Sequence, residues 1–361
     1  MRHWRWAVVI GGALALTSLP VIVAHRPADN PSISTDDLIA KVLTSATQPF
    51  EGLYRTRGGL RLPDLGRLDD EFAPFAGSSR VRVWYDTPDR WRADELLSGA
   101  ERGTYRQPDG VWLWDSDRQR IVFSPRSGAE PIRIPRLMDL SPAELGRRLL
   151  AKGTGETIAG IDAHRVAGRV AAGIRITPRA GSTDAARSTI SSVSMWADPA
   201  TGVVLEVQID TGQKAPAFEA AFLDVDFTHP DADVMQFDPT AVHEPVRRAD
   251  ALDPIEQAGQ LSLAAVPDSL GGLAMVNLTV VPTANLFGRI GGLPTTVRPW
   301  GGTATLLETS LVNAQIIRMG ADAAIISGTV TMAELDRLVA DLIARGVLGN
   351  GVLGNGVLGN A

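Results

Sequence analysis

The sequence predicts an α+β protein: one large, curved antiparallel sheet covered by helices, followed by a small C-terminal α+β domain. Three observations predict it. Strand-length stretches in which apolar and polar residues alternate recur through residues 54–227, separated by turn residues, as in an antiparallel meander with one covered face. Three segments open with a helix N-cap signature and continue with apolar residues at helical spacing. A Pro-, Asp- and Ala-rich stretch at about residues 245–258 separates the first group of strands from a second.

The chain opens with Arg2 and Arg5 ahead of an apolar run from Trp6 to Ala24, which closes on a small residue suited to cleavage. A positive flank, an apolar core and a small residue describe an export signal over residues 1–26. The run also approaches the roughly 20 apolar residues of a bilayer-spanning helix, so an uncleaved anchor is the competing reading. Either one places the remaining chain outside the cytoplasm, secreted or tethered. Cysteine is absent, which excludes disulfides and acylation of a lipoprotein cysteine. Without Arg2 and Arg5, 33 basic residues face 41 acidic ones, a net charge of about −8 that argues against nucleic-acid binding. The local clusters Arg118/Arg120 and Arg133/Arg136 read as solvated strand edges.

Ser34 with Asp37 forms a capping box before Leu38, Ile39, Val42, Leu43 and Ala46, an amphipathic helix that ends before Pro49. Tyr54 to Leu62 reads as a strand, and the segment from Pro63 to Ser79 as loop. Val81, Val83 and Tyr85 alternate with Arg80, Arg82 and Trp84, Thr87-Pro88-Asp89 turns the chain, and a strand follows from Arg90. Asp109-Gly110 marks another turn into Val111–Trp114, and Ile121 and Phe123 continue the meander. Leu140-Ser141-Pro142-Ala143-Glu144 places Ser at the N-cap, Pro at the first helical position and Glu at the third. More strands run from Thr157 to Phe227, with a hairpin turning at Asp198-Pro199-Ala200-Thr201-Gly202. In the smaller unit, strands are expected at Leu273–Val281, Ala304–Ser310, Ala314–Met319 and Ala323–Val330. Thr331 with Glu334 caps a last helix that stops at Gly346. A threefold Gly-Val-Leu-Gly-Asn repeat closes the chain as a flexible tail over residues 346–361.

No catalytic or metal-binding constellation emerges. The histidines beyond the N-terminal segment are His164, His229 and His243, and no nucleophile elbow, phosphate loop or dinucleotide fingerprint occurs. Asp224, Asp226 and His229 could gather around a metal, but strand patterning sets the two aspartates on a solvated face opposite Leu223 and Val225. The chain therefore reads as a binding protein, not an enzyme, and implies no cofactor. A curved sheet closed by two short helices leaves an apolar volume, and alternation directs Val81, Val83, Tyr85, Val111, Leu113, Met195, Leu205 and Val207 into it. Trp84, Trp91, Trp112, Trp114 and Trp196 either line that volume or brace the sheet, and bracing is the commoner use.

Trp84–Asp94, Asp109–Asp115, Ser141–Leu145, Ile161–Val166 and Val193–Val207 together resemble the LolA/RseB group, specifically the MucB/RseB family of exported envelope-stress regulators. Gly302–Thr305 with Ala324–Leu335 resembles that family's small C-terminal domain. The resemblance implies a LolA-like half-barrel wrapped around helices over residues 27–244, a linker over 245–268 and the small domain over 269–345. It also implies an acyl-chain ligand in the half-barrel and, as partner, a membrane-bound anti-sigma factor or similar protein. Lipid or lipoprotein carriage of the LolA type is the alternative. The loop from Pro63 to Ser79 and the terminal repeat depart from the family pattern.

Overall fold

The computed structural model of the 361-residue chain describes residues 29–60, 75–125, 137–152, 156–179, 186–242, 244–248, 273–283, 286–290 and 292–348. The N-terminal export or anchor segment, Pro63–Pro74, most of the expected linker, and the repeat beyond Leu348 lie outside these residues. No helix among the described residues is long and apolar enough to cross a membrane.

Eleven strands follow one another as an antiparallel sheet: β1 Phe50–Gly58, β2 Ser78–Thr87, β3 Arg90–Leu96, β4 Glu101–Gln107, β5 Gly110–Asp115, β6 Arg120–Pro125, β7 Thr157–Val166, β8 Arg169–Thr177, β9 Ser192–Ala197, β10 Val204–Asp210 and β11 Phe218–Asp226. A twelfth, β12 (Val246–Arg248), joins β6 in parallel, giving the order β12-β6-β5-β4-β3-β2-β1-β11-β10-β9-β8-β7. Register shifts at Leu53/Tyr54, Tyr85/Thr87, Ile161/His164 and Val204/Glu206 each insert a bulge, which bends a strand and sharpens its twist. The sheet curls around two helices without closing, a half-barrel.

Those helices are α1 (Thr35–Thr44) and α2 (Pro142–Lys152). Ser34 Oγ accepts from Asp37 N at 3.1 Å, and Ser141 Oγ from Glu144 N at 3.3 Å, so both expected caps are made. Leu38 and Val42 from α1 and Leu149 and Leu150 from α2 fill the β8–β11 part of the trough, against Ile174, Met195, Val207 and Phe218. The approach of α2 requires Gly146, since a Cβ there would lie 2.8 Å from Val204 Cγ1. The β9–β10 hairpin turns at Gly202, φ +76°, with Asp198 Oδ1 accepting from Ala200 N and Thr201 N at 3.0 and 2.9 Å.

The second sheet has the order β13-β17-β16-β15-β14, from β13 Val276–Pro282, β14 Thr295–Val297, β15 Thr303–Leu307, β16 Asn313–Met319 and β17 Asp322–Gly328. Helix α3 (Met332–Ala344), capped by Thr331, covers one face through Leu335, Leu338, Val339 and Leu342. Asp336 binds Arg298 through both carboxylate oxygens (2.9 and 2.5 Å) and accepts from Gln315 Nε2 at 2.8 Å, pinning the β14–β15 turn to the helix.

The two sheets share a core. Leu273 and Leu311, with Met275 and Val312 beside them, pack into the apolar cluster that holds Leu60, Ile190, Ile209 and Phe218. Backbone bonds Thr189 N→Thr329 O (3.0 Å) and Thr331 N→Arg187 O (2.8 Å) flank a β-bridge between Ser188 and Val330. Glu334 receives the guanidinium of Arg187 at 3.5 Å.

Candidate functional site

The half-barrel is filled unevenly. Toward β2–β5 the inner face carries three rows of paired side chains, fixed by register. One row is Tyr85, Trp91, Arg106 and Val111; the next is Val83, Ala93, Thr104 and Leu113; the third is Val81, Glu95, Arg102 and Asp115. Over the first row lie a short 3-10 turn, Leu137–Leu140, and the start of α2, leaving a cavity of about 250 Å³. Tyr85, Trp91, Val111 and Met138 give it aromatic and aliphatic walls. Pro88, Asp89, Arg106, Asp139, Glu144, Arg147 and Arg148 ring it with charge.

The ring is internally compensated. Arg147 reaches Glu144 at 2.5 Å, Arg148 reaches Asp139 at 3.1 Å and also pairs with Glu144, and Arg106 lies 3.5 Å from Asp89. Tyr85 donates to the Ala46 carbonyl at 2.6 Å; burial first, then the nearby Glu144 carboxylate, push its pKa up to about 12. Tyr54 donates to the Leu137 carbonyl at 2.5 Å and so holds the 3-10 turn against β1. The tyrosines remain neutral donors at any physiological pH. The cavity therefore sets aromatic and aliphatic walls beside a compensated ring of ion pairs, and offers contacts of both kinds.

Of the eight residues that alternation directs inward, Tyr85 and Val111 line this cavity. Val81, Val83 and Leu205 lie in the adjoining core with Tyr54 and Phe222. Met195 and Val207 are fully buried in the cluster filled by the helices. Leu113 is half-buried in the second row, between Thr104 and Val122. The tryptophans divide similarly. Trp91 is in the cavity, whereas Trp112 and Trp114 pack on the opposite face with Tyr105, Ile121 and Phe237. Trp84 stacks under Arg92 on that outer face, and Trp196 donates to the Asp162 carbonyl at 3.0 Å while stacking on His164.

Sequence reasoning missed the charged part of the inner face. Glu95 accepts from Ser79 Oγ at 2.8 Å, and Arg102 bridges Glu95 and Asp115 at 3.8 and 3.4 Å. The available signal was parity: Glu95 is in step with Trp91 and Ala93, and Asp115 with Val111 and Leu113, whereas Arg102 has no apolar neighbour in step along its strand. His164 pairs with Glu206 at 3.0 Å and His229 with Asp86 at 2.9 Å. Among the described residues, no three acidic or histidine side chains come together as metal ligands.

No protein-family model matches the chain, and no curated protein sequence does. Solved structures of similar fold include the complex of MucA and MucB from Pseudomonas aeruginosa, with a TM-score of 0.47 and 15% sequence identity, covering 84% of this chain and 96% of that one. MucB alone gives 0.42 and 14%, covering 86% and 97%. The lipoprotein LppX of Mycobacterium tuberculosis gives 0.28 and 15%, covering 52% and 94%.

Proposed function

We propose that this protein is an extracytoplasmic regulator of the MucB/RseB type, not an enzyme, which holds an amphiphile in the half-barrel and a membrane-bound protein through its second sheet. The observation that carries the reading is the cavity of about 250 Å³ between Tyr85, Trp91, Val111 and Met138, left where α1 and α2 do not fill the sheet. A partly open cleft with aromatic and aliphatic walls on one side and charged side chains on the other supports binding of a molecule that has both characters. The motifs at Gly302–Thr305 and Ala324–Leu335 support the regulatory assignment over plain carriage, because carriers lack the C-terminal part. Regulation follows from linkage: an amphiphile that favours one arrangement weakens any partner that favours another. The shared core of Leu273, Leu311, Ile190 and Phe218 provides physical continuity between the two units.

Capture from detergent-solubilised envelope tests the partner. The reading expects a membrane protein recovered by the full chain and lost when the outer residues of the second unit are altered. Transfer of bound lipid to acceptor membranes, with no protein recovered, would establish the carrier instead.

A further inference from the structure

Residues 228–242 and 244–248 follow β11 across the outer face of the half-barrel, and we propose that this strap is a displaceable occupant of a seat for an extended peptide from a partner protein. His229 Nδ1 meets Asp86 Oδ1 at 2.9 Å at the start of the strap. Arg92, its guanidinium 4.8 Å from the Trp84 ring and 4.7 Å from Tyr105, donates to the Val234 carbonyl at 3.1 Å. Phe237 then packs on Tyr105 and Trp112, with ring centroids 5.0 and 5.5 Å away. β12 ends the strap, its Val246, Arg247 and Arg248 paired with Ile121, Val122 and Phe123.

The strap is held lightly where it closes the sheet. β12 has 3 residues against the 6 of β6, all three are exposed, and the pairing is parallel, the weaker geometry. The single helical turn Pro239–Val242 before it contains no buried residue. Beneath the strap the surface is apolar: Tyr105 is 6% exposed and Ile121 0%. Lifting the strap leaves an aromatic groove beside an open strand edge, the two elements that recognise an added strand. The present occupant defines what the seat accepts. It takes a segment that pairs in parallel with β6, sets an aromatic ring on Tyr105 and Trp112, and offers a carbonyl to Arg92. The seat lies across the sheet from the cavity, so this proposal and the amphiphile reading fail separately.

The test uses the chain from residue 27 onward, which is free of cysteine. Phe237→Ala weakens the strap in place, and Val122→Cys with Arg247→Cys, at paired positions, locks β12 when oxidised. The probe is a fluorescein-labelled peptide of residues 228–248, followed by anisotropy. The reduced protein should bind it, and the oxidised protein about tenfold or more weakly, as should a peptide carrying Phe237→Ala. In the unmodified chain, the amides of 246–248 should exchange hydrogen about tenfold or more faster than those of β4 and β5. Equal or absent binding in both redox forms would overturn the proposal. So would β12 amides as protected as those of β4. A dimer of the unmodified chain that dissociates when β12 is locked would assign the seat to a second copy and also overturn it.

Discussion

Val111→Trp places an indole in the cavity in place of an isopropyl group, beside Arg106 in the inner row, with Trp91 on that residue's far side. If the added ring atoms displace about three methylenes of a bound chain, at about 0.8 kcal/mol each, affinity falls by about 2.4 kcal/mol, roughly sixtyfold. The assay is titration with a long-chain fluorescent fatty acid, alongside thermal unfolding of the same preparation. Met195→Ala is the contrasting variant. Met195 is fully buried in the helix-filled cluster outside the cavity, so its loss should cost about 2–5 kcal/mol of stability and leave affinity nearly unchanged. Unaltered affinity in Val111→Trp with intact folding would refute the placement of the tail. Equal loss of affinity in both variants would refute the distinction between site and core.

Asp336→Ala removes both oxygens that hold Arg298 and the acceptor for Gln315, leaving a largely buried guanidinium without its carboxylate; unfolding in urea should show a loss of about 3 kcal/mol. Truncation before Leu273 strips Leu273 and Leu311 from the shared core, a loss of about 3 kcal/mol or more, so the isolated half-barrel should melt well below the full chain in calorimetry. Hydrogen bonds from His229 first, then Arg90, hold the Asp86 carboxyl below its usual range. A depressed folded-state pKa stabilises above the carboxylate's ordinary value and is lost as pH falls through the lowered one. Asp86→Asn should therefore flatten the acid limb of stability below about pH 4, measured by circular dichroism, and differ least from the unmodified chain once the pH has fallen through the lowered value.

Much of the fold was legible because local signals agreed with tertiary demand. Ser34, Ser141 and Thr331 each accept the backbone N–H three residues on, as their spacing predicts. Strand β4 was not legible: Arg102 and Arg106 face inward and break the apolar alternation, and ion pairs to Glu95, Asp115 and Asp89 help to make that placement tolerable. β12 was read as linker, because three exposed residues on a sheet edge carry no pattern. Val81, Val83 and Tyr85 are buried on one face of β2, the side to which alternation directs them, yet alternation gives only the side of a sheet. Whether an inward residue meets a helix or a hollow depends on where α1 and α2 lie. That is why Met195 and Val207 are core while Tyr85 and Val111 line the cavity. The polar rim was visible only in part, since Arg147 and Arg148 join it through the pitch of α2 and Arg106 through strand register.

The most direct measurement is photolabelling of the full chain with a diazirine-bearing fatty acid, followed by peptide mass spectrometry. Crosslinks concentrated on Tyr85, Trp91, Val111 and Met138, and competed by unlabelled fatty acid, are the predicted result. Labelling confined to the outer aromatic face at Trp84, Trp112 and Trp114, or none that competes, would contradict it.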